Sequence, residues 1–115
     1  MTTIDEFRES LLKIISKNIS ETSDGLLLTV RVEEDPRETY LTIDNDELVF
    51  KTRDVENDSR CNSSLIGYLS SNLKIPSSNI DVIYGLRGSR IKTVLIKGVK
   101  REDFEKKILR YIRPI

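Results

Sequence analysis

The stretch LLLTVRVE, residues 26–33, alternates apolar and polar positions with period two. Leu26, Leu28, Val30 and Val32 fall on one side, and Thr29, Arg31 and Glu33 on the other. That spacing predicts a strand with one face on a core. Downstream, EEDPRE is a charged turn around Pro36. Residues 39–44 predict a second strand with Leu41 and Ile43 on one side, and residues 47–53 (ELVFKTR) a third. Only the short DND turn separates these two, which predicts an antiparallel hairpin.

Helical periodicity flanks this block. Before it, Ile4, Phe7, Leu11, Ile14, Ile15 and Ile19 follow i, i+3, i+4 spacing, predicting an amphipathic helix over 4–19 that SETSDG then ends. Thr3 and Glu6 form a capping box for it. After it, Cys61, Leu65, Tyr68, Leu69 and Leu73 make one stripe of a helix over 60–74, with Asp58 or Ser59 as its cap and Pro76 at its end. Its polar side carries serines and Gly67, so tertiary packing has to hold it. Two further strands follow at 79–84 and 91–97; the run Val94–Leu95–Ile96 suits a central position. A last helix near 101–112 carries Phe104, Ile108, Tyr111 and Ile112, with Val99 placed to staple its start. The order α-βββ-α-ββ-α argues for an α+β layered sheet.

The chain has 115 residues, the size of one domain. It has 19 basic and 19 acidic side chains, unevenly placed: residues 1–59 hold 15 acidic and 7 basic, net −8, and residues 60–115 hold 4 acidic and 12 basic, net +8. Either the basic half meets an anionic partner or the halves interleave in the fold and their fields cancel. Histidine is absent, which excludes Ser-His-Asp and Cys-His catalysis and His-ligated metals. The single cysteine forms no internal disulfide. With no membrane-length apolar run and no signal pattern, a cytoplasmic location is expected, with no membrane association.

Two stretches hold candidate binding chemistry. GLRGSRIK, residues 85–92, joins two strands and crowds Gly85 and Gly88 against Arg87, Arg90 and Lys92. The glycines permit a backbone nest; Ser89, Arg90 and Lys92 supply a hydroxyl, a planar fork and a point charge suited to phosphate or carboxylate. The spacing is neither a P-loop nor a dinucleotide fingerprint, and ordinary turn chemistry accounts for the same residues. DSRCNSSL, residues 58–65, opens a helix where free N–H groups and the dipole favour anions, with Arg60 and Asn62 in the first turn. Cys61 lies on the apolar stripe and reads as a small core residue. The carboxylates Glu33–Glu34 and Asp44–Asp46–Glu47 read as solvated turn residues, and Tyr68, Tyr84 and Tyr111 as core or rim.

Residues 58–98 resemble the YggU-like family of small uncharacterised proteins. That family carries a D-G-K-A-N box opening a helix, then a leucine-rich helix, a V-x-I strand, and G-x-x-S-R-x-K before the next strand. Here the box reads Asp58, Ser59, Arg60, Cys61, Asn62, and the second motif Gly85, Ser89, Arg90 and Lys92 with one extra residue after the glycine. Ser59 stands for the family glycine and Cys61 for alanine. The likeness runs from about residue 26 to residue 98. It implies a two-layer α+β fold, a mixed sheet of order 1-2-4-3 backed by helices, over a core of residues 24–112 with residues 1–20 as an added N-terminal helix. It implies no established activity, cofactor or substrate, and no cofactor or metal is expected.

On this reading Arg60, Asn62, Gly85, Arg87, Ser89, Arg90 and Lys92 form one donor-rich surface if the two element starts adjoin. The expected partner is RNA or another polyanion. The alternative is a protein-interaction module that uses the N-terminal helix and performs no catalysis.

Overall fold

The alternation at residues 26–33 does organise the molecule. In the computed structural model, which describes residues 3–84 and 90–113 and leaves the Tyr84 side chain aside, it lies within a ten-residue strand. The elements run α1 (Ile4–Lys17), β1 (Ile19–Thr22), β2 (Gly25–Glu34), β3 (Tyr40–Asp44), β4 (Glu47–Thr52), α2 (Asp58–Leu73), a 3-10 turn (Ser77–Asn79), β5 (Ile80–Tyr84), β6 (Ile91–Ile96) and α3 (Arg101–Tyr111). The protein is α+β, with a mixed, open sheet.

β2 is paired along both edges. One edge meets β6 antiparallel, from Leu26↔Ile96 to Arg31↔Ile91. The other edge is shared: β1 pairs antiparallel with Gly25 to Leu28, and β4 pairs parallel with Arg31 to Glu34. The order is β3-β4-β2-β6-β5, with β1 also on β2. This differs from the order 1-2-4-3 that the family resemblance implies. β3 and β4 form the expected hairpin, and its turn residues Asn45 and Asp46 both take positive φ, 51° and 62°, as a two-residue turn matched to strand twist requires.

The strand β1 has no counterpart in the sequence reading, which carries the first helix on to Ile19 and treats SETSDG as a break. α1 stops at Lys17 because Asn18 turns the chain: its backbone N–H donates to the Ile15 and Ser16 carbonyls and its side chain to Ile14 O at 2.8 Å. Ile19 is then free to pair with Leu28 and is buried from a strand, not a helix. Thr22 Oγ1 donates to Gly25 O at 2.9 Å and closes the turn. Gly25 sits at φ +146°, and a Cβ there would stand 2.5 Å from Ile96 O, so close strand approach requires glycine.

All three helices back the same face. Leu26, Leu28, Val30, Leu48, Phe50, Val94 and Ile96 from the strands form one core with Ile15, Leu65, Leu69, Phe104 and Ile108 from the helices. Each such side chain stabilises the fold by about 1.5–3 kcal/mol relative to exposure. Beyond α3, Ile112 bridges Leu41 in parallel, Arg113 N donates to Leu41 O at 2.9 Å, and Thr42 Oγ1 donates to Arg113 O. The C-terminal segment thus occupies part of the outer edge of β3. Among the described residues no helix is long and apolar enough to cross a membrane.

Gly67 lies in the interior of α2 on its exposed side, and a Cβ there meets open space. Gly67→Ala is therefore expected to raise stability by roughly 0.5–1 kcal/mol, read as a higher urea midpoint at unchanged slope.

Candidate functional site

The described end of the second stretch, Arg90 to Lys92, lies beside the first. β6 starts beside the N-terminus of α2, so Arg90 and Lys92 reach back 34 residues to the helix start. The cap of α2 is Asn57, not Asp58 or Ser59: its Oδ1 accepts from Arg60 N at 3.0 Å and its carbonyl from Cys61 N at 2.8 Å. Asp58 is thereby released from capping and turned towards β6.

What the cations do there is the main departure from a free anion surface. Lys92 Nζ lies 3.3 Å from Asp58 Oδ1, and the lysine is 3% exposed. It shares parity with Val94 and Ile96 and so faces the helices. Arg90 Nη2 lies 3.3 Å from Glu56 Oε1, at a surface pair open to solvent. Both cations are thus engaged with acids of their own chain. Arg60 is exposed and has no side-chain partner among the described residues. Asn62 is half-buried, and its Oδ1 is buried without a hydrogen-bond partner among the described residues. Gly85, Arg87 and Ser89, with Gly88, lie outside the described residues.

Cys61 is 2% exposed and packs with Val32 and Val55 in a small second cluster. Burial pushes its thiol above the ordinary range, and the nearby Lys92 charge opposes that more weakly. This is the environment of an inert core thiol.

The oppositely charged halves interleave. Arg90 pairs with Glu56, Lys92 with Asp58, Arg101 with Glu21 and Arg113 with Glu38, each joining a cation of the second half to an acid of the first. Arg101 goes further, donating to the Ser16 and Ile19 carbonyls at 2.9 and 3.0 Å and so closing the α1–β1 junction from α3. On the face of the sheet away from the helices, Arg31 stands within 3.1 Å of Glu33, Asp44 and Glu47. Its Nε, 3.0 Å from Glu33 Oε2, is close enough for ionic attraction but not aligned to donate. Lys51 bonds Glu33 at 2.7 Å, and that bond, ahead of the opposing burial, holds the Glu33 carboxyl below its ordinary value. Stability from this depressed carboxyl is present above the ordinary value and is lost as pH falls through the lowered one. Three acids read as solvated punctuation, Glu33, Asp44 and Glu47, are in fact organised around one arginine.

A second feature was absent from the sequence reading. An apolar groove of about 260 Å³ lies between α1 and α3, lined by Phe7, Leu11, Leu109 and Ile112 with Arg8 and Arg110. Periodicity places Ile4 and Phe7 on the buried stripe of α1, yet Ile4 is 79% exposed and Phe7 50%. Only the second half of the helix reaches the core, through Ile15. The intrusion of Arg8 into the stripe is the one sequence signal of this. No family model matches the chain.

The Lys92–Asp58 pair yields a direct test. Asp58→Ala leaves an ammonium buried without its acid and is expected to cost roughly 2–4 kcal/mol, whereas Lys92→Met, apolar and of similar length, costs far less. Native-state labelling of Cys61, which adjoins the pair, should be slow in the parent chain and in Lys92→Met and faster in Asp58→Ala. Equal urea midpoints for both variants would remove the pair from the account.

Proposed function

We propose that this chain is a protein-interaction module without catalytic activity, and that it docks a helical partner in the groove between α1 and α3. The observation that carries this reading is the half-exposed Phe7 in the wall of an apolar groove, on the same helical stripe as the exposed Ile4 and the fully buried Ile15. An amphipathic helix laid into such a slot uses apolar anchors at i, i+3, i+4 spacing, and the arginines at the rim favour acidic flanks on the incoming helix. Helical peptides selected by display on the full chain should lose binding to Phe7→Asp and keep it to Arg60→Ala. Selection that yields only binders indifferent to Phe7→Asp would overturn the reading.

Contact with RNA or another polyanion at the start of α2 is the second reading. It is supported by the adjacency of that helix start to β6 and by the exposed Arg60, whose side chain has no partner among the described residues. It requires Arg90 to exchange Glu56 for phosphate, an exchange that an exposed pair permits at small cost. Lys92, buried against Asp58, takes no part. Fluorescence anisotropy with a labelled single-stranded RNA should then show affinity falling steeply with salt, and Arg60→Ala with Arg90→Ala should flatten the slope by about two counterions' worth. An unchanged slope in the double variant would exclude these residues.

A further inference from the structure

Ile112 and Arg113 lie on the outer edge of β3 in the manner of a bound peptide. We propose that this edge is a docking site for an extended protein segment carrying an apolar residue followed by arginine, and that Ile112–Arg113 is the chain's own occupant of it. α3 ends at Tyr111, and Ile112, at φ −65° and ψ 124°, is already extended. It bridges Leu41 in parallel, and Arg113 N donates to Leu41 O at 2.9 Å. Main-chain pairing at a sheet edge supplies the affinity of strand addition, and the side chains alongside supply its selectivity.

The receiving groups lie on β3 or just before it. Thr42 is fully buried, and its hydroxyl donates to the Arg113 carbonyl. Arg113 Cζ stands 4.2 Å from the centroid of the Tyr40 ring, and Glu38 pairs with the same guanidinium. The turn before β3 presents Glu38: Asp35 Oδ1 accepts from Arg37 N and Glu38 N at 2.8 and 3.0 Å. That turn makes no use of the C-terminal segment, so the acid stays in place when the segment leaves. Ile112 supplies the apolar side chain and packs against the core. An empty edge takes the acceptor from the buried Thr42 hydroxyl and the donor from Leu41 O, which favours replacement by like groups over vacancy. The outer tie is light. The Arg113 and Glu38 side chains are 49% and 58% exposed, and an exposed pair of this kind contributes little. The segment therefore covers the edge and can still be exchanged.

The probe is a capped synthetic peptide of residues 110–113, Arg-Tyr-Ile-Arg, titrated into the full chain and followed by amide NMR. In the parent chain the resident segment competes, and apparent affinity is reduced to the fraction of molecules whose edge is open. Arg113→Glu sets the resident segment against Glu38 and raises that fraction. The peptide should bind this variant roughly tenfold tighter than the parent, with shifts centred on Leu41, Thr42 and Ile43. Peptides in which aspartate replaces the isoleucine, or glutamate the second arginine, should bind neither chain. Glu38→Arg, on an exposed turn, gives a second test that does not depend on the fold of the first variant. It should reverse the preference, taking the peptide that ends in glutamate over the one that ends in arginine. Affinity indifferent to Arg113→Glu, shifts that lie away from β3, or equal binding of the altered peptides overturns the inference. So does a Glu38→Arg chain that keeps the parent's preference.

Discussion

β2 has no free edge along most of its length, and this constraint governs the rest of the molecule. Because β6 pairs with Leu26 to Arg31 on one side, and β1 and then β4 pair with Gly25 to Leu28 and Arg31 to Glu34 on the other, the strand is held in a fixed register. Leu26, Leu28, Val30 and Val32 are all buried to 4% exposure or less. A slip of one residue would turn Arg31 and Glu33 into the core and these four into water. The register in turn fixes the parity of β6, and that parity sends Lys92 inwards with Val94 and Ile96. The location of a charged side chain near α2 is therefore settled by strand pairing before any electrostatics is considered.

This also explains which parts of the architecture could be read from the chain. Local signals were sufficient for β2, the β3–β4 hairpin, α2 and α3, since each carries its own period and its own stop. β1 was not legible because its four residues, ISET, bury only Ile19 and owe their conformation to pairing with β2. The parallel β2–β4 contact was equally hidden, since nothing in two strand-like runs states which edge the returning chain will take. At the candidate site, the sequence left open whether the two motif stretches adjoin, and the described end of the second, Arg90 to Lys92, lies beside the first. The engagement of its cations was not legible, because it depends on Asn57 taking the capping role and leaving Asp58 to Lys92. The inward direction of Lys92 was written in the sequence, in the shared parity of residues 92, 94 and 96.

Electrostatics in this protein therefore works as a tie more than as a field. A chain divided into halves of net −8 and +8 folds so that the halves face each other. Four contacts between them lie at α2–β6, α3–β1 and the C-terminal segment, all junctions between elements distant in sequence. Such pairs add little individually where exposed, but each is satisfied only in the native arrangement, and Arg101 adds bonds to the Ser16 and Ile19 carbonyls.

The short backbone zipper formed by Ile112 and Arg113 along β3 has a bearing on how the protein behaves in crowded solution. A peripheral strand with open amides is a template for any extended chain that drifts past, including a misfolded sibling. Here the polypeptide's own tail occupies part of that template, and Arg113 is further held by stacking 4.2 Å above the Tyr40 ring. Drawing this segment away would unmask a ready seed for strand-by-strand polymerisation and would at the same time withdraw Ile112 from the core it packs against.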